Sequence, residues 1–501
     1  MVLARALRHF SYREVYAPDA PFHVLYPPGY PAFLAGLTTV VGESFDVAAL
    51  ASVLFGVGTL ALTFLIVRRV WSAWGATVVV GLLALNPFLV DVNSRPVSEP
   101  LFMLLSMAAL YLALEPTRRN DVGAIVAATA ATLVRGVGVP LLAGLGIYWL
   151  LQRRFRAAFL LAAVAGAAAG PWYVWTMVAP QKYVGASYAA DFAQGDLQGQ
   201  EGPFHADPGP RRAPPPLLLR AVTRIGRNGQ MYAVSETPRQ LGTPAIPGTP
   251  LDNLVFGSVM GVGLLVGLAV CWKRWNLGVL YAVAFGALLL VWPWVAGRFL
   301  IPLLPVLVAL LVVGAATLGR RLWSRGEWVA VGAVAAVLLT GSAGRLVPLV
   351  KAGARCDRTD PLPRSPSCVD DRVGRLMDVV AYVRDSLPPE ARLFTSQPHL
   401  VYLYSGRQAV QREPVATYDG EAFLDYLRRA GVEYLILSGV HPLDARKMPD
   451  LLEQVCGSFT VIRAYPPYNY LLRLEAPGSA PEPNACEAAT RHAQAMRDVG
   501  L

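Results

Sequence analysis

Long apolar stretches separated by short polar connections fill the chain up to about residue 347. About 20 apolar residues suffice for a helix to cross a bilayer's hydrocarbon core of roughly 30 Å. The pattern predicts about ten spans, near residues 46–67, 74–91, 98–114, 122–134, 136–151, 157–178, 253–272, 276–295, 299–318 and 327–347. We therefore expect a polytopic α-helical membrane protein.

The composition supports this interpretation. Apolar residues make up 54% of the 501 positions and charged residues 16%, and the mean hydropathy of +0.42 lies outside the usual range of soluble proteins. A net charge of +10 would suggest nucleic-acid binding in a soluble chain. Here the arginines cluster between apolar runs, so we expect membrane lipids and no nucleic acid as partners.

The basic clusters occur in alternate connections between the predicted spans, at 68–69, 118–119, 153–156, 273–274 and 320–325. By the positive-inside rule these connections lie in the cytoplasm. The topology then places the other connections on the non-cytoplasmic face: residues 1–45, the loop around 91–99, the long segment 179–251 and the tail 348–501. The spans 46–347, with the loop 179–251, form the predicted membrane domain.

The long segment 179–251 contains one amphipathic stretch. Leu218, Val222 and Ile225 recur at helical spacing, and arginines occupy the positions between them. This pattern is typical of a helix at the membrane interface. An ordinary loop helix packed on the protein is the alternative.

The tail shows the alternation of a small α/β domain. An amphipathic helix is predicted over 373–383, and β-like runs follow at 392–396, 408–412, 434–439 and 459–465, with helical patterns at 420–430 and 447–456. The Pro- and Ala-rich end, from about Gly478, is expected to be disordered apart from any tie through Cys486.

Four of the five cysteines lie in this tail. In an oxidising compartment they favour two disulfides, most simply Cys356–Cys368 and Cys456–Cys486, although four cysteines allow three pairings. Four free thiols are the alternative.

Three charged residues stand at the predicted external rim of the membrane domain: Glu99, Arg135 and Arg298. Charges near lipid are costly unless they pair or act, and guanidinium groups suit phosphate. This set indicates a site for an anionic head group. The alternatives are that Ser98 and Glu99 merely cap a helix and that the arginines extend to lipid phosphates.

Four segments in order resemble the GT-C fold of integral-membrane glycosyltransferases: LYPPGYPAFLAG, SEPLFMLLSMAALYLAL, LVRGVGVPLLAG and GRFLIPLLPVLV. More narrowly, they resemble bacterial relatives of dolichyl-phosphate-mannose protein O-mannosyltransferases and aminoarabinose transferases. The resemblance covers about residues 1–347 and extends to the α/β tail. It implies an enzyme of the bacterial cytoplasmic membrane that transfers a sugar from a polyprenyl-phosphate donor to a lipid, glycan or protein acceptor on the external face.

The resemblance also implies roles for individual residues. Glu99 matches an acid that binds donor or metal, which makes it a catalytic candidate and a candidate ligand for a divalent Mg or Mn ion. Arg298 and Arg135 match basic residues that contact the lipid phosphate. His23 and Tyr26 are expected near the donor pocket.

In that group the general base is an acid in the first external loop. The opening MVLARALRHF resembles the residues that follow this acid, so the resemblance implies that the acid and the first helix precede Met1. Glu14 and Asp19 are the candidate substitutes for the base. The alternatives are an inactive truncated GT-C scaffold and a multi-pass transporter or flippase, although transport pathways usually place ionisable residues within spans.

Overall fold

A computed structural model describes residues 1–179, 217–244, 250–292, 297–356, 370–410, 415, 418–440, 447–476 and 484–498. The chain forms two compact units. The first contains Met1–His23 and Val350–Leu501, and the second contains Val24–Ala179 and Pro214–Leu349. The chain's contacts therefore group the first 23 residues with the tail, whereas the sequence analysis divides the chain after residue 45.

Fifteen α-helices precede the tail in the described residues. In chain order they are α1 Val2–Arg8, α2 Gly29–Val41, α3 Phe45–Val70, α4 Ala73–Ala84, α5 Pro87–Asn93, α6 Ser98–Leu112, α7 Arg118–Val134, α8 Val139–Leu151, α9 Phe155–Val178, α10 Leu217–Gln230, α11 Thr237–Leu241, α12 Pro250–Arg274, α13 Asn276–Val291, α14 Leu304–Leu322 and α15 Gly326–Arg355. Polar N-cap side chains begin several of them, namely Ser44, Ser72, Asn86 and Thr117.

Five helical segments in the described part are long and apolar enough to cross a membrane: Phe45–Val70, Phe155–Val178, Leu254–Arg274, Gly297–Leu322 and Gly326–Arg355. The pair α4 and α5, bent by 67°, makes a sixth if it counts as one span. The protein is thus an integral membrane protein.

Helix α14 is the centre of the second unit, because the apolar part of the segment Gly297–Leu322 is buried throughout. It packs against α12 through glycines. A Cβ atom at Gly267 would lie 2.0 Å from the carbonyl oxygen of Leu310, and one at Gly314 would lie 2.0 Å from that of Gly263. Small residues four apart let two membrane helices approach this closely.

Side chains near the ends of neighbouring helices pair with one another at several places in the second unit. On the predicted cytoplasmic face, Arg69 pairs with Glu115 and Arg154 pairs with Asp121. Between α4 and α5, within the predicted span 74–91, the Asn86 side chain donates to the Gln240 carbonyl at 2.8 Å. The side of the membrane on which each connection lies stays a prediction.

Helix α10 covers the amphipathic stretch of the long external segment. Its Asn228 amide donates to the carbonyls of Leu289, Leu290 and Trp292 at the end of α13, where the last carbonyls of a helix need partners from outside it. The large apolar side chains of α10 at Val222 and Ile225 are exposed. The helix therefore packs on the protein through polar groups, and its place at the membrane interface remains a prediction.

The tail of the first unit contains five strands and five helices in its described residues. They are α16 Asp371–Ser386, β1 Leu393–Phe394, α17 Pro398–Ser405, β2 Ala409–Val410, α18 Gly420–Arg429, β3 Tyr434–Leu437, α19 Met448–Val455, β4 Phe459–Tyr465, β5 Asn469–Leu474 and α20 Asn484–Asp498. The strand order is β2-β1-β3-β5-β4. The pairs β1–β2 and β1–β3 are parallel, and β3–β5 and β4–β5 are antiparallel.

Each face of this sheet carries its own apolar core. Leu435 and Leu437 of β3 lie in a cluster with α18, α19 and α20, whereas Ile436 lies in a cluster with α16 and α17. This alternation follows from the two-residue period of a strand. Strand β5, which the sequence analysis missed, contributes to both clusters, so its run NYLLRL lacks the alternation of a half-exposed strand.

The expected disorder at the C-terminal end is wrong over residues 484–498, which form α20. Its small and apolar face is buried at Ala485, Ala489 and Met496. The Cys456–Cys486 disulfide, confirmed here, ties the helix to the end of α19. The expectation rested on the proline and alanine content of this end and overlooked the helical spacing of the residues that are buried in α20. Cys368, the expected partner of Cys356, lies outside the described residues.

The glycine contact predicts a specific sensitivity to small substitutions. Gly267→Ala should lower the free energy of unfolding by about 1–3 kcal/mol, since the added methyl group meets backbone that cannot move away alone. Gly261→Ala on the same helix is the control, because its Cβ would meet nothing within 4 Å. Unfolding in mixed micelles measures both variants. Equal stability of the two would contradict the close approach of α12 and α14.

Candidate functional site

Glu99 lies in the first turn of α6, where the helix dipole favours a negative charge. Its side chain is 7% exposed. The alternative in which Ser98 caps this helix is wrong, because the N-cap is Val97 and no side chain caps the helix. The Ser98 hydroxyl instead accepts a hydrogen bond from Arg135 Nη1 at 2.8 Å.

Arg135 follows the last residue of α7 in extended backbone, with φ −146° and ψ 133°. This conformation ends the helix and lets the side chain reach α6, where Nη1 lies 2.7 Å from Glu99 Oε1. The guanidinium is 11% exposed. Glu99 and Arg135 therefore form a buried ion pair in which each group stabilises the charge of the other.

The proline-rich corner at the start of α2 supports this arrangement. A Cβ atom at Gly29 would lie 2.6 Å from the carbonyl oxygen of Leu133, two residues before Arg135. Only glycine permits so close a backbone approach. The corner thus packs directly on the end of the helix that positions Arg135.

Arg298 brings a second guanidinium to the same carboxylate. It lies in a 3₁₀ turn, Gly297–Phe299, and its Nη2 is 3.9 Å from Glu99 Oε1. Unlike Arg135, its side chain is 65% exposed. One carboxylate facing two guanidinium groups leaves an excess positive charge, and the exposed donors of Arg298 can accept an anion.

A second carboxylate, which the sequence pattern did not reveal, lies beside the turn Gly297–Phe299. Glu236 ends a six-residue π-helix, Met231–Glu236, and its Oε2 is buried and lacks a hydrogen-bond partner in the described residues. A Cβ atom at Gly297 would lie 2.0 Å from this oxygen. The stretch SETPRQ shows an acid in the long segment between two predicted spans. Its packing against Gly297 cannot be seen in the sequence.

Tyr26 lies in a bend three residues before α2 and is 48% exposed. It belongs to the second unit, whereas His23, Glu14 and Asp19 belong to the first. The assignment of His23 and Tyr26 to a donor pocket stays a prediction.

In the first unit, residues 12–23 form a tight loop closed by a bridge between Arg13 and Phe22. His23 donates its backbone N–H to the Tyr12 carbonyl at 3.0 Å, and its Nδ1 lies 3.1 Å from Glu14 Oε1. The His23 side chain is 6% exposed and that of Glu14 is 21% exposed. Asp19, near the tip of the loop, is exposed. Glu14 is therefore held by an oriented partner, a feature typical of a general base.

His399 is a further titratable group near this loop. The carbonyl of Tyr16 accepts a hydrogen bond from the Ala409 N–H at 2.8 Å, and the rings of Tyr16 and His399 pack edge to face at 6.3 Å. Part of the His399 side chain is open to solvent. The protein atoms around the ring still desolvate it and lower its pKa, and the charge of Glu14 opposes this shift. The sequence offered only a lone histidine after a β-like run, which is too weak a signal to select it.

The donor set around Glu99 does not fit a metal ion. Its Oε1 faces two guanidinium groups, and the residues that the structure describes contain no group of three His, Cys, Asp or Glu side chains that could hold a metal. Binding of Mg or Mn stays a prediction.

One family model and several solved structures match this chain. A family model of dolichyl-phosphate-mannose-protein mannosyltransferases matches residues 26–175. ArnT from Cupriavidus metallidurans in the apo state is 14% identical, with a TM-score of 0.54 over 95% of this chain and 94% of that chain. The resemblance to GT-C glycosyltransferases is confirmed. The segment matched by the family model contains Tyr26, Glu99 and Arg135.

Two further solved structures share the GT-C fold of this chain. ArnT bound to undecaprenyl phosphate gives a TM-score of 0.54 at 14% identity, over 96% of this chain and 94% of that chain. The apo oligosaccharyltransferase of Archaeoglobus fulgidus gives 0.53 at 12% identity, over 96% of this chain and 70% of that chain. No curated protein sequence matches the chain. Likeness at these identities concerns the fold.

The buried pair predicts strong coupling between its two partners. Glu99→Gln and Arg135→Gln should each lower the free energy of unfolding by about 3–5 kcal/mol, because each leaves a buried charge without its counter-charge. The double variant should lose less than the sum of the two. Unfolding in mixed micelles measures the cycle, and Arg298→Gln, at a largely exposed position, is the control with an expected loss below about 1 kcal/mol. Additive losses would show that the pair is not coupled.

Proposed function

We propose that this protein is a membrane glycosyltransferase that takes a sugar from a polyprenyl-phosphate donor and attaches it to a lipid, glycan or protein hydroxyl. The cluster of Glu99, Arg135 and Arg298 carries this proposal. It presents excess positive charge to a lipid phosphate, and two of its three residues lie in the segment matched by the mannosyltransferase family model. ArnT with undecaprenyl phosphate supports the donor class.

In the proposed reaction the acceptor oxygen attacks the anomeric carbon of the sugar. A bond forms between these two atoms, the bond from the anomeric carbon to the phosphate oxygen breaks, and polyprenyl phosphate leaves with the electron pair. Arg298 holds the negative charge that develops on the leaving phosphate. Arg135 holds the Glu99 carboxylate in place, and Glu99 in turn orients Arg298.

A general base takes the proton of the acceptor hydroxyl. Of the two carboxylates considered for this role, Glu14 is favoured because His23 orients it and its side chain is largely buried. Asp19 is exposed in the same loop. His399, which interacts electrostatically with Glu14, supplies a second imidazole in the same unit.

The proposal includes the membrane topology. We place about ten spans in the membrane at the positions that the sequence predicts. The shorter apolar helices Ser98–Leu112, Gly136–Leu151 and Asn276–Val291 lie at three of these positions, and Gly29–Val41 belongs to the external segment 1–45 as a re-entrant or juxtamembrane helix. Basic connections lie in the cytoplasm, and the α/β tail lies outside the bacterial cytoplasmic membrane. The Cys456–Cys486 disulfide supports the external side, because disulfides persist in oxidising compartments.

Transfer of radiolabel from polyprenyl-phosphate sugars in membranes tests the donor site. Arg298→Gln should raise KM for the donor about tenfold or more, since it removes a charge-assisted bond to phosphate. Arg95→Gln is the control, as Arg95 is an exposed arginine paired with Asp91 on the same predicted face. Equal kinetics for the two variants would remove Arg298 from the site.

The base assignment predicts a separate effect on turnover. Glu14→Gln should lower kcat by about 100-fold or more with little change in donor KM, because the acceptor proton then lacks a base. Asp19→Asn in the same loop should leave kcat nearly unchanged. The reverse ranking would assign the role to Asp19. No transfer by the unaltered chain with any polyprenyl-phosphate sugar would favour the inactive scaffold.

A further inference from the structure

The turn between α8 and α9 holds an arginine in an unfavourable backbone conformation. Arg153 has φ +54°, in the left-handed region where a side chain costs about 1–2 kcal/mol. The Arg154 N–H bonds to the Trp149 carbonyl at 2.8 Å, and the Arg153 N–H bonds to that of Leu150 at 3.0 Å. Glycine usually occupies such a helix end. The presence of arginine in place of glycine, despite the cost of its left-handed backbone, suggests that the charge of Arg153 has a function.

The neighbouring Arg154 has a structural role. Its Nη2 bonds to Asp121 Oδ2 of α7, and its guanidinium lies 6.0 Å from the ring centroid of Trp149. The side chains of Arg154 and Asp121 are 22% and 16% exposed. This pair neutralises itself and fixes the turn against α7.

Arg153 and Arg156 differ from Arg154, because both are exposed and neither has an ion-pair partner in the described residues. They flank the start of α9, which has no capping side chain. The first N–H groups of a helix attract anions when they lack such a cap. Two uncompensated guanidinium groups therefore meet the positive end of a 24-residue helix.

These groups line an open cavity of about 420 Å³, together with Asp121, Phe155 and Ala157. Its volume falls within the range of small-ligand sites. The Asp121 carboxylate in its wall is neutralised by Arg154. The net charge of the lining is therefore positive, and an anion is the ligand that it suits.

An apolar surface continues from the cavity along both helices. Leu150 and Leu151 end α8 with 50% and 57% exposure, and Phe155 and Phe159 begin α9 with 63% and 72% exposure. In a membrane protein such side chains face acyl chains. Positive charge beside a lipid-facing surface suits one molecule that carries both an anionic head and an apolar tail.

We propose that this cavity binds the phosphate of an anionic phospholipid, with Arg153 and Arg156 as its ligands. Cationic pockets between membrane helices recognise head groups in this way. The site lies on one of the predicted cytoplasmic connections and shares no residue with the Glu99 cluster. It is therefore independent of the proposed glycosyltransferase activity.

Native mass spectrometry of the full chain in detergent tests the proposal with phosphatidylglycerol as the probe. The unaltered protein should retain this lipid, and Arg153→Gln with Arg156→Gln should weaken its binding about 30-fold, given the usual contribution of each basic residue. Arg68→Gln with Arg325→Gln is the matched control: both residues are exposed, lie on other basic connections and remove the same charge. This control should change affinity less than about twofold.

Three results would overturn the proposal. Equal weakening in the control pair would indicate diffuse attraction to basic loops, and equal retention of phosphatidylcholine would exclude recognition of negative charge. Inorganic phosphate that binds without lipid and displaces phosphatidylglycerol would assign the cavity to a free anion. Retention without that displacement supports the lipid.

A second variant separates binding from folding. Arg153→Gly removes the guanidinium and relieves the left-handed strain. It should unfold at the same or a higher temperature than the unaltered protein and still bind phosphatidylglycerol more weakly. Undiminished lipid binding by this stable variant would remove Arg153 from the site.

Discussion

The Glu99–Arg135 ion pair is the constraint on which the rest of the candidate site depends. A carboxylate with 7% exposure at the edge of an apolar bundle is costly to bury unless a counter-charge lies beside it. Arg135 supplies this charge from a different helix, and the requirement fixes where α7 must end and how closely α2 must approach it. Arg298 then meets an ordered carboxylate, so its remaining donors are oriented before any ligand arrives.

Arg135 and Arg298 differ in burial, and this difference gives the two similar side chains different roles. Arg135 donates hydrogen bonds to Glu99 and Ser98, and little of its side-chain surface is exposed to solvent. Arg298 lies at the longer distance of 3.9 Å and remains mostly exposed. The first is suited to hold the site together, and the second is suited to exchange solvent for an anionic ligand. A count of charges at the rim would have treated them as equivalent.

Much of the fold could be predicted from periodicity, because the cost of exposing backbone to lipid leaves few options for an apolar stretch. The same cost made Glu99, Arg135 and Arg298 visible as anomalies. Glu236 and His399 were not visible, since an acid or a lone histidine in a polar segment violates no rule of patterning. Their significance comes from contacts with Gly297 and Tyr16, which are distant in sequence. Likewise, α20 depends on a buried face and a disulfide that composition does not reveal.

The contact between Gly297 and Glu236 has an evolutionary consequence. The carboxylate occupies the space of the missing side chain at 2.0 Å, and the Gln240 amide nitrogen lies 2.5 Å from the same point. Position 297 can therefore gain a methyl group only if the side chain at 236 shortens or turns away and that of Gln240 moves aside. Changes at these two positions, 61 residues apart by their numbers, are therefore bound to each other. Among homologous sequences, a larger residue at the first position should accompany a smaller one at the second, and the two should covary.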